Sequence, residues 1–497
     1  TSKFDVGVSW ELITNFASEE EPVFTSVFTL KNQGSYDLND DNWKMYFSIA
    51  PRKIIDSSIT AKVNIKCLGG DFYEMSPTAG FTLAAGKEMD IQFDGETSMI
   101  KIADAPIGVY FTYTQEGNEK FFSTDATIEP FTRPEQITRH KVDKDIIPSA
   151  KNAYFEYDWS KVSPQLTQIV PTPVKQSFGG RTTSIDKEWG VTFDNGLENE
   201  GDYLKSTFAD LGIDLNGTKK KIVLTLDGKI SSSESYRLFI GENKIEIKGS
   251  DAAGVFYGIQ SILSLLPVES FAQKSGSITL AQGTIEDAPR YDYRGMHVDV
   301  GRNFQKKETI FKMLDLMALY KLNKLLFYLT EDEGWRIEIK QLPELAEVGG
   351  RRGHTIEEES YLKPAYGSGI DGEYGTGYYT QEEYIEIVQY ANERHIEMIP
   401  EVNLPGHSRA AITAMNVRYK RKMAEGDEAG ALEYLLVDFD DVSVYESAQG
   451  YSDNVVCVCR ESVYKFYETV IDEFIDMHER AGVPLKWFHT GGDEVAK

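Results

Sequence analysis

From Arg290 onward the chain repeats one local pattern, a short apolar strand followed by a helix with one apolar face. That alternation restricts the fold to a parallel sheet covered by helices. Gly295 to Val300 reads as a first strand, and Ile310, Met313, Leu314, Met317 and Ala318 then recur at helical spacing. Lys324 to Leu329 reads as a second strand. After an insert rich in Gly and Tyr, Thr380 and Glu383 form a capping box for a helix that turns Tyr384, Val388 and Ala391 inward. Ile396 to Glu401 is a third strand. A helix with Val463, Phe466, Tyr467, Val470, Ile471 and Phe474 on one face follows a second insert, and Leu485 to His489 is expected to be a short buried fourth strand. A parallel barrel and a doubly wound sheet both satisfy the pattern. No Gly-rich phosphate loop follows the first strand, which argues against a dinucleotide-binding fold.

Polar residues stand just beyond each strand: Arg302, Glu331, His407, and then Asp493 and Glu494. Several strand ends presenting such groups on one rim is the arrangement of barrel enzymes. Gly491 and Gly492 allow a sharp turn ahead of the two carboxylates. Taken alone, the turn is equally well an acidic surface loop, Arg302 a surface salt bridge and His407 a structural histidine.

Residues 1–140 carry regular short strands, among them Phe24 to Leu30 and Lys62 to Cys67, separated by turn clusters, which points to a β-sandwich. Trp10, Trp43, Tyr46 and Phe47 fit either a sugar-stacking platform or a core, and aromatics are mostly buried. Residues 141–165 are polar and mixed, as in a linker. Residues 166–287 read as an α+β module: Lys221 to Leu226 and Lys244 to Lys248 are strands, and Val255, Ile259, Ile262, Leu263 and Leu266 line a helix ended by Pro267. Residues 288–497 hold the strand–helix repeat.

The net charge of −27 disfavours nucleic acid and anionic membranes as partners and suits a neutral substrate. The three cysteines, Cys67, Cys457 and Cys459, form no disulfide framework, and no metal or other cofactor is expected. No run of 18 apolar residues crosses a membrane. Residue 1 is Thr and no signal peptide is present, so the start reads as processed, trimmed or cut.

Six segments together resemble the family 20 glycoside hydrolases, the β-N-acetylhexosaminidases and bacterial chitobiases. They are Arg294 to Phe304, Tyr320 to Lys324, Asp332 to Arg336, Leu342 to Leu345, Pro400 to His407 and His489 to Glu494. Ala252 to Ser261 is similar to the second domain of that family, and residues 1–140 to the chitobiase N-terminal sandwich. Where the family has an Asp-Asp pair this chain has Glu331-Asp332, one methylene longer at the first position. The implied fold is multidomain: an N-terminal β-sandwich, an α+β middle domain, and the first half, four strands, of a TIM (β/α)8 barrel. A chain ending at Lys497 is then expected to be inactive by itself, with a poorly soluble barrel half.

The resemblance also implies a chemistry. The substrate's own 2-acetamido oxygen attacks the anomeric carbon to form an oxazolinium ion, an exception to the usual pair of catalytic carboxylates. Glu494 is then the general acid and later the base, Asp493 holds the acetamido nitrogen, Arg302 takes the 3- and 4-hydroxyls, and His407 stands between Glu331 and Glu494. The partner is an N-acetylhexosamine-containing oligosaccharide, and the expected location is secreted, periplasmic or at the cell surface. Arg294, Asp299, Glu333, Trp335 and Arg336 lie in the same motifs with structural and sugar-binding roles equally open. A non-catalytic carbohydrate-binding protein and a two-carboxylate barrel glycosidase are the competing readings.

Overall fold

The computed structural model describes residues 3–18, 20–139, 141–143, 154–156, 168–372 and 374–495, so the expected linker lies mostly outside the described residues. The N-terminal part is a sandwich of two five-stranded sheets. One runs in the order Ala126–Ile128, Val6–Thr14, Val23–Asn32, Glu88–Glu96, Ile54–Ile55, and the other in the order Val63–Gly69, Phe72–Pro77, Trp43–Ser48, Ile107–Gln115, Asn118–Ser123. Alternation along Val6–Thr14 sends Val6, Val8, Trp10 and Leu12 into the core between the sheets. Trp10, Trp43, Tyr46 and Phe47 are each 3% exposed or less, so the stacking-platform reading gives way to the core reading. Their apolar area is worth more removed from water than a surface contact would return.

The middle part is a six-stranded mixed sheet with helices Glu198–Asp210 and Ala252–Ser264. The second helix begins where the Asp251 carboxylate accepts the Gly254 N–H at 2.8 Å. It is buried along almost its whole length because it packs on the sheet with one face and on a helix of the C-terminal part with another. A single apolar core therefore runs through both parts.

The C-terminal part opens with β1 (Gly295–Asp299), α1 (Lys307–Leu319) and β2 (Lys324–Tyr328), followed by α2 (Gln381–Asn392), β3 (Glu397–Glu401), α3 (Arg409–Ala424) and α4 (Glu461–Ala481). The three strands pair in parallel in the order β1-β2-β3. At α2 the capping box forms: the Thr380 hydroxyl accepts the Glu383 N–H at 3.2 Å, and Glu383 accepts the Thr380 N–H at 3.1 Å.

The expected fourth strand is only partly realised. Residues 485–489 run beside β3 and make one parallel bridge, Glu401 to His489, held by His489 N–H to Pro400 O at 2.9 Å and Val402 N–H to His489 O at 3.1 Å. Nor is the segment buried. Leu485 and Phe488 are half-buried, Phe488 against Tyr467 and Phe474 of α4, while Trp487 is 63% exposed. It is the outermost segment of the sheet, so no strand pairs with its far edge among the described residues. Among the described residues no helix is long and apolar enough to cross a membrane.

Candidate active site

The carboxyl ends of the parallel segments converge on a buried charge cluster. The turn after β1 carries Arg302. Its guanidinium lies 2.7 Å from Asp299 and 2.6 Å from Glu331, on the turn after β2. Glu331 also accepts the Tyr328 hydroxyl and the Asp332 N–H, both at 2.7 Å. Burial raises the Glu331 carboxyl above its usual range, and His407 and Arg302 oppose that shift. The added methylene of Glu331 therefore still delivers one carboxylate to both cations.

His407 follows β3. Its Nδ1 is 3.1 Å from Glu331 and 3.6 Å from Asp332, near enough for ion pairs but misaligned for a hydrogen bond, and its Nε2 is 3.6 Å from Glu494. Burial alone would lower the imidazole pKa, but the Asp332 and Glu331 carboxylates outweigh it and push His407 up to about 10. A protonated imidazole thus stands between the buried carboxylates and the half-exposed Glu494. Asp332 is held in turn by the Arg409 N–H at 3.1 Å and the Asn454 amide at 2.9 Å. The donor atoms of Glu331, Asp332 and His407 lie within 4.8 Å of one another, a spacing that suits a cation, yet each carboxylate already has protein donors.

The structure brings Arg302, Glu331, His407 and Glu494 into one chain of contacts. Asp493 stands outside that chain: its like charge adds to burial in raising the Glu401 carboxyl, which lies 3.1 Å from His489 and 3.6 Å from His297. Gly491 explains the turn. At φ +65°, a Cβ there would lie 1.6 Å from the Asn403 side-chain oxygen.

Several motif residues prove to be scaffolding. Arg294 binds Glu234 at 2.6 Å and the Lys321 carbonyl at 2.8 Å, joining the middle and C-terminal parts. Trp335 is core, its indole N–H on the Ile337 carbonyl. Arg336 is fully buried and donates to the carbonyls of Val300, Gly301, Glu333, Gly350 and Gly377, so it ties together the turns after β1 and β2. Sequence reasoning assigned no role to Asp332, Asn403, Tyr328, Arg352 or Glu401. Asp332, Asn403 and Glu401 lie inside the quoted motifs, a signal that was present; Arg352 lies in the insert and had none.

Residues 291–497 match the catalytic domain of glycosyl hydrolase family 20, residues 166–288 match domain 2 of that family, and residues 7–151 match the family described as "Putative carbohydrate binding domain". The chain is 36% identical over 488 residues to a beta-hexosaminidase of Vibrio vulnificus, covering 94% of this chain and 56% of that protein. It is 33% identical over 513 residues to the N,N'-diacetylchitobiase of Vibrio harveyi, covering 99% of this chain and 57% of that protein. The chain thus spans a little over half the length of these relatives. In fold it is similar to the exo beta-N-acetylglucosaminidase of Vibrio harveyi solved with N-acetylglucosamine, with a TM-score of 0.79 at 24% identity over 99% of this chain and 68% of that one. The N-acetyl-beta-hexosaminidase of Streptomyces plicatus solved with Thio-NAglucal gives 0.51 at 30% identity over 67% of this chain and 60% of that one. With two domains of one family matched over most of its length, and an N-terminal domain before them, the chain belongs to glycosyl hydrolase family 20.

Proposed function

We propose that this protein is an exo-acting β-N-acetylhexosaminidase that releases terminal non-reducing N-acetylglucosamine, with N-acetylgalactosamine as a second candidate sugar, from chitin oligosaccharides or glycans. The observation that carries the reading is His407 set between Glu331 and Glu494, with Arg302 on the same Glu331 carboxylate. In this reading Glu494 gives its proton to the leaving oxygen while the 2-acetamido oxygen attacks the anomeric carbon. The glycosidic bond breaks, an oxazolinium ion forms, and Glu494 then takes a proton from the water that opens it, with net retention. Asp493 orients the acetamido N–H and balances the developing charge. Arg302 offers two sides of its guanidinium to neighbouring hydroxyls, since a planar fork suits a diol.

In the same reading, residues 1–140, 166–287 and 288–497 are a chitobiase-type sandwich, the hexosaminidase second domain and the first half of a (β/α)8 catalytic barrel, with 141–165 as linker. The parallel order β1-β2-β3 and the exposed face at Met296 and Trp487 support the half-barrel. A polymeric glycan substrate suits a secreted, periplasmic or surface location.

The test is hydrolysis of aryl N-acetylglucosaminide against aryl glucoside by the full-length protein. Turnover of the first alone supports the reading. Turnover of both favours a two-carboxylate mechanism, and binding without turnover a carbohydrate-binding protein.

A further inference from the structure

The N-terminal sandwich meets the C-terminal part through side chains that lead to Arg302. Its stacked rings Tyr46, Phe72 and Tyr110 face the insert between β2 and α2, where the Tyr110 hydroxyl is 2.7 Å from His354 Nδ1. Beside them the Asp71 carboxylate accepts the Tyr366 N–H at 2.8 Å, and Lys363 reaches back to the Leu68 carbonyl at 2.9 Å. Gly108 of the sandwich packs so close that a Cβ would lie 2.5 Å from the Gly367 backbone.

Behind that contact sits Arg352, 3% exposed. It makes no ion pair with a carboxylate within 4 Å among the described residues; its guanidinium donates to the Arg302 carbonyl at 2.6 Å and the Glu333 carbonyl at 2.8 Å, and lies 5.9 Å over the Tyr366 ring. Glu333 and Asp71 are the carboxyls that act on it, and since burial holds the proton on Glu333 up to about 8, Asp71 carries the balancing charge at neutral pH. Tyr366 joins the two, its N–H on Asp71 and its hydroxyl 3.4 Å from Glu333. A buried guanidinium without a balancing charge is costly, so removing the Asp71 charge loosens the group that fixes the Arg302 backbone.

We propose that Asp71 of the sandwich and Arg352 of the catalytic part are positioning residues for Arg302, so that the sandwich is a working part of the sugar site. This rests on the reading of Arg302 as the arginine that holds the sugar hydroxyls. The sandwich face that meets the insert is then spent on aiming that arginine rather than on binding glycan.

The test is a double-mutant cycle in the full-length enzyme. Asp71→Asn and Arg352→Lys are each made alone and together with Arg302→Ala, and initial rates are measured on an aryl N-acetylglucosaminide. Each single variant should raise KM about tenfold with a smaller change in kcat, and should add nothing further once Arg302 is gone. Losses that multiply in the Arg302→Ala background would overturn the proposal, because a general structural role acts independently of Arg302. If the unmutated enzyme shows no turnover, the catalytic reading alone fails, and the same cycle is then read from N-acetylglucosamine affinity. Should the variants not fold, amide exchange on the unmutated enzyme decides: N-acetylglucosamine should slow exchange at the Tyr366 N–H, and unchanged exchange there would reject the coupling.

Discussion

The Asn403 side-chain oxygen accepts the Gly492 N–H at 2.8 Å, while the Asn403 amide donates to the Tyr328 hydroxyl at 2.6 Å. One side chain after β3 thus fixes both the turn that presents Asp493 and Glu494 and the tyrosine that steadies Glu331. Gly491→Ala puts a methyl into that contact at a left-handed φ. It should cost roughly 1 to 3 kcal/mol, and lower kcat by displacing Glu494. Thermal unfolding beside steady-state kinetics checks this; a variant with unchanged melting and rate would show that the turn has room.

Glu494→Gln keeps shape and removes the proton. On substrates with poor leaving groups kcat should fall by about 10² to 10⁴. For activated aryl leaving groups kcat/KM, which reports the cleavage step, should be largely spared, even though kcat also loses the base that activates water. Values of kcat/KM across a series of leaving-group pKa values decide the matter, and an equal loss throughout would rule out the acid role.

Asp493→Asn should weaken a thiazoline mimic of the cyclised intermediate and leave ligands without an acetamide nearly unaffected. Titration calorimetry with both ligands measures the contrast. Equal affinities before and after substitution would remove Asp493 from the acetamido subsite.

Glu333 is buried beside Glu331 and Asp332, and burial first, then those charges, push it up to about 8. A carboxyl whose folded pKa is raised holds its proton longer in the folded state. Stability therefore falls as pH rises from about 4.3, the unfolded value, to about 8, and is flat above. Glu333→Gln should melt like the parent near pH 4 and progressively higher than it up to pH 8. Parallel melting curves across that window would contradict the assignment.

Lys321 is buried between the middle and C-terminal parts, 2.9 Å from Asp287 and 2.9 Å from the Tyr236 hydroxyl. Lys321→Met leaves Asp287 without its cation, and breaking such a pair costs about 3 kcal/mol or more. The urea midpoint should drop while kcat per folded molecule holds. A drop in kcat with an unmoved midpoint would instead place Lys321 in the reaction.

Local periodicity fixes which residues of a segment share a face, so β1 to β3, α1, α2 and α4, and the Thr380–Glu383 cap were all legible from spacing alone. The polar residues after each strand were legible too, because a strand end places the next few side chains on a rim. Exposure was not: Leu485 to His489 has the composition of a buried strand, and only its place outside β3 leaves Trp487 in solvent. Partners were not legible either. Asp71 and Tyr366 lie 295 positions apart, and Arg352 finds the Arg302 carbonyl across an insert with no pattern of its own. A sequence specifies contacts within a turn or two through backbone geometry, whereas which buried charge meets which is settled only when separate cores dock.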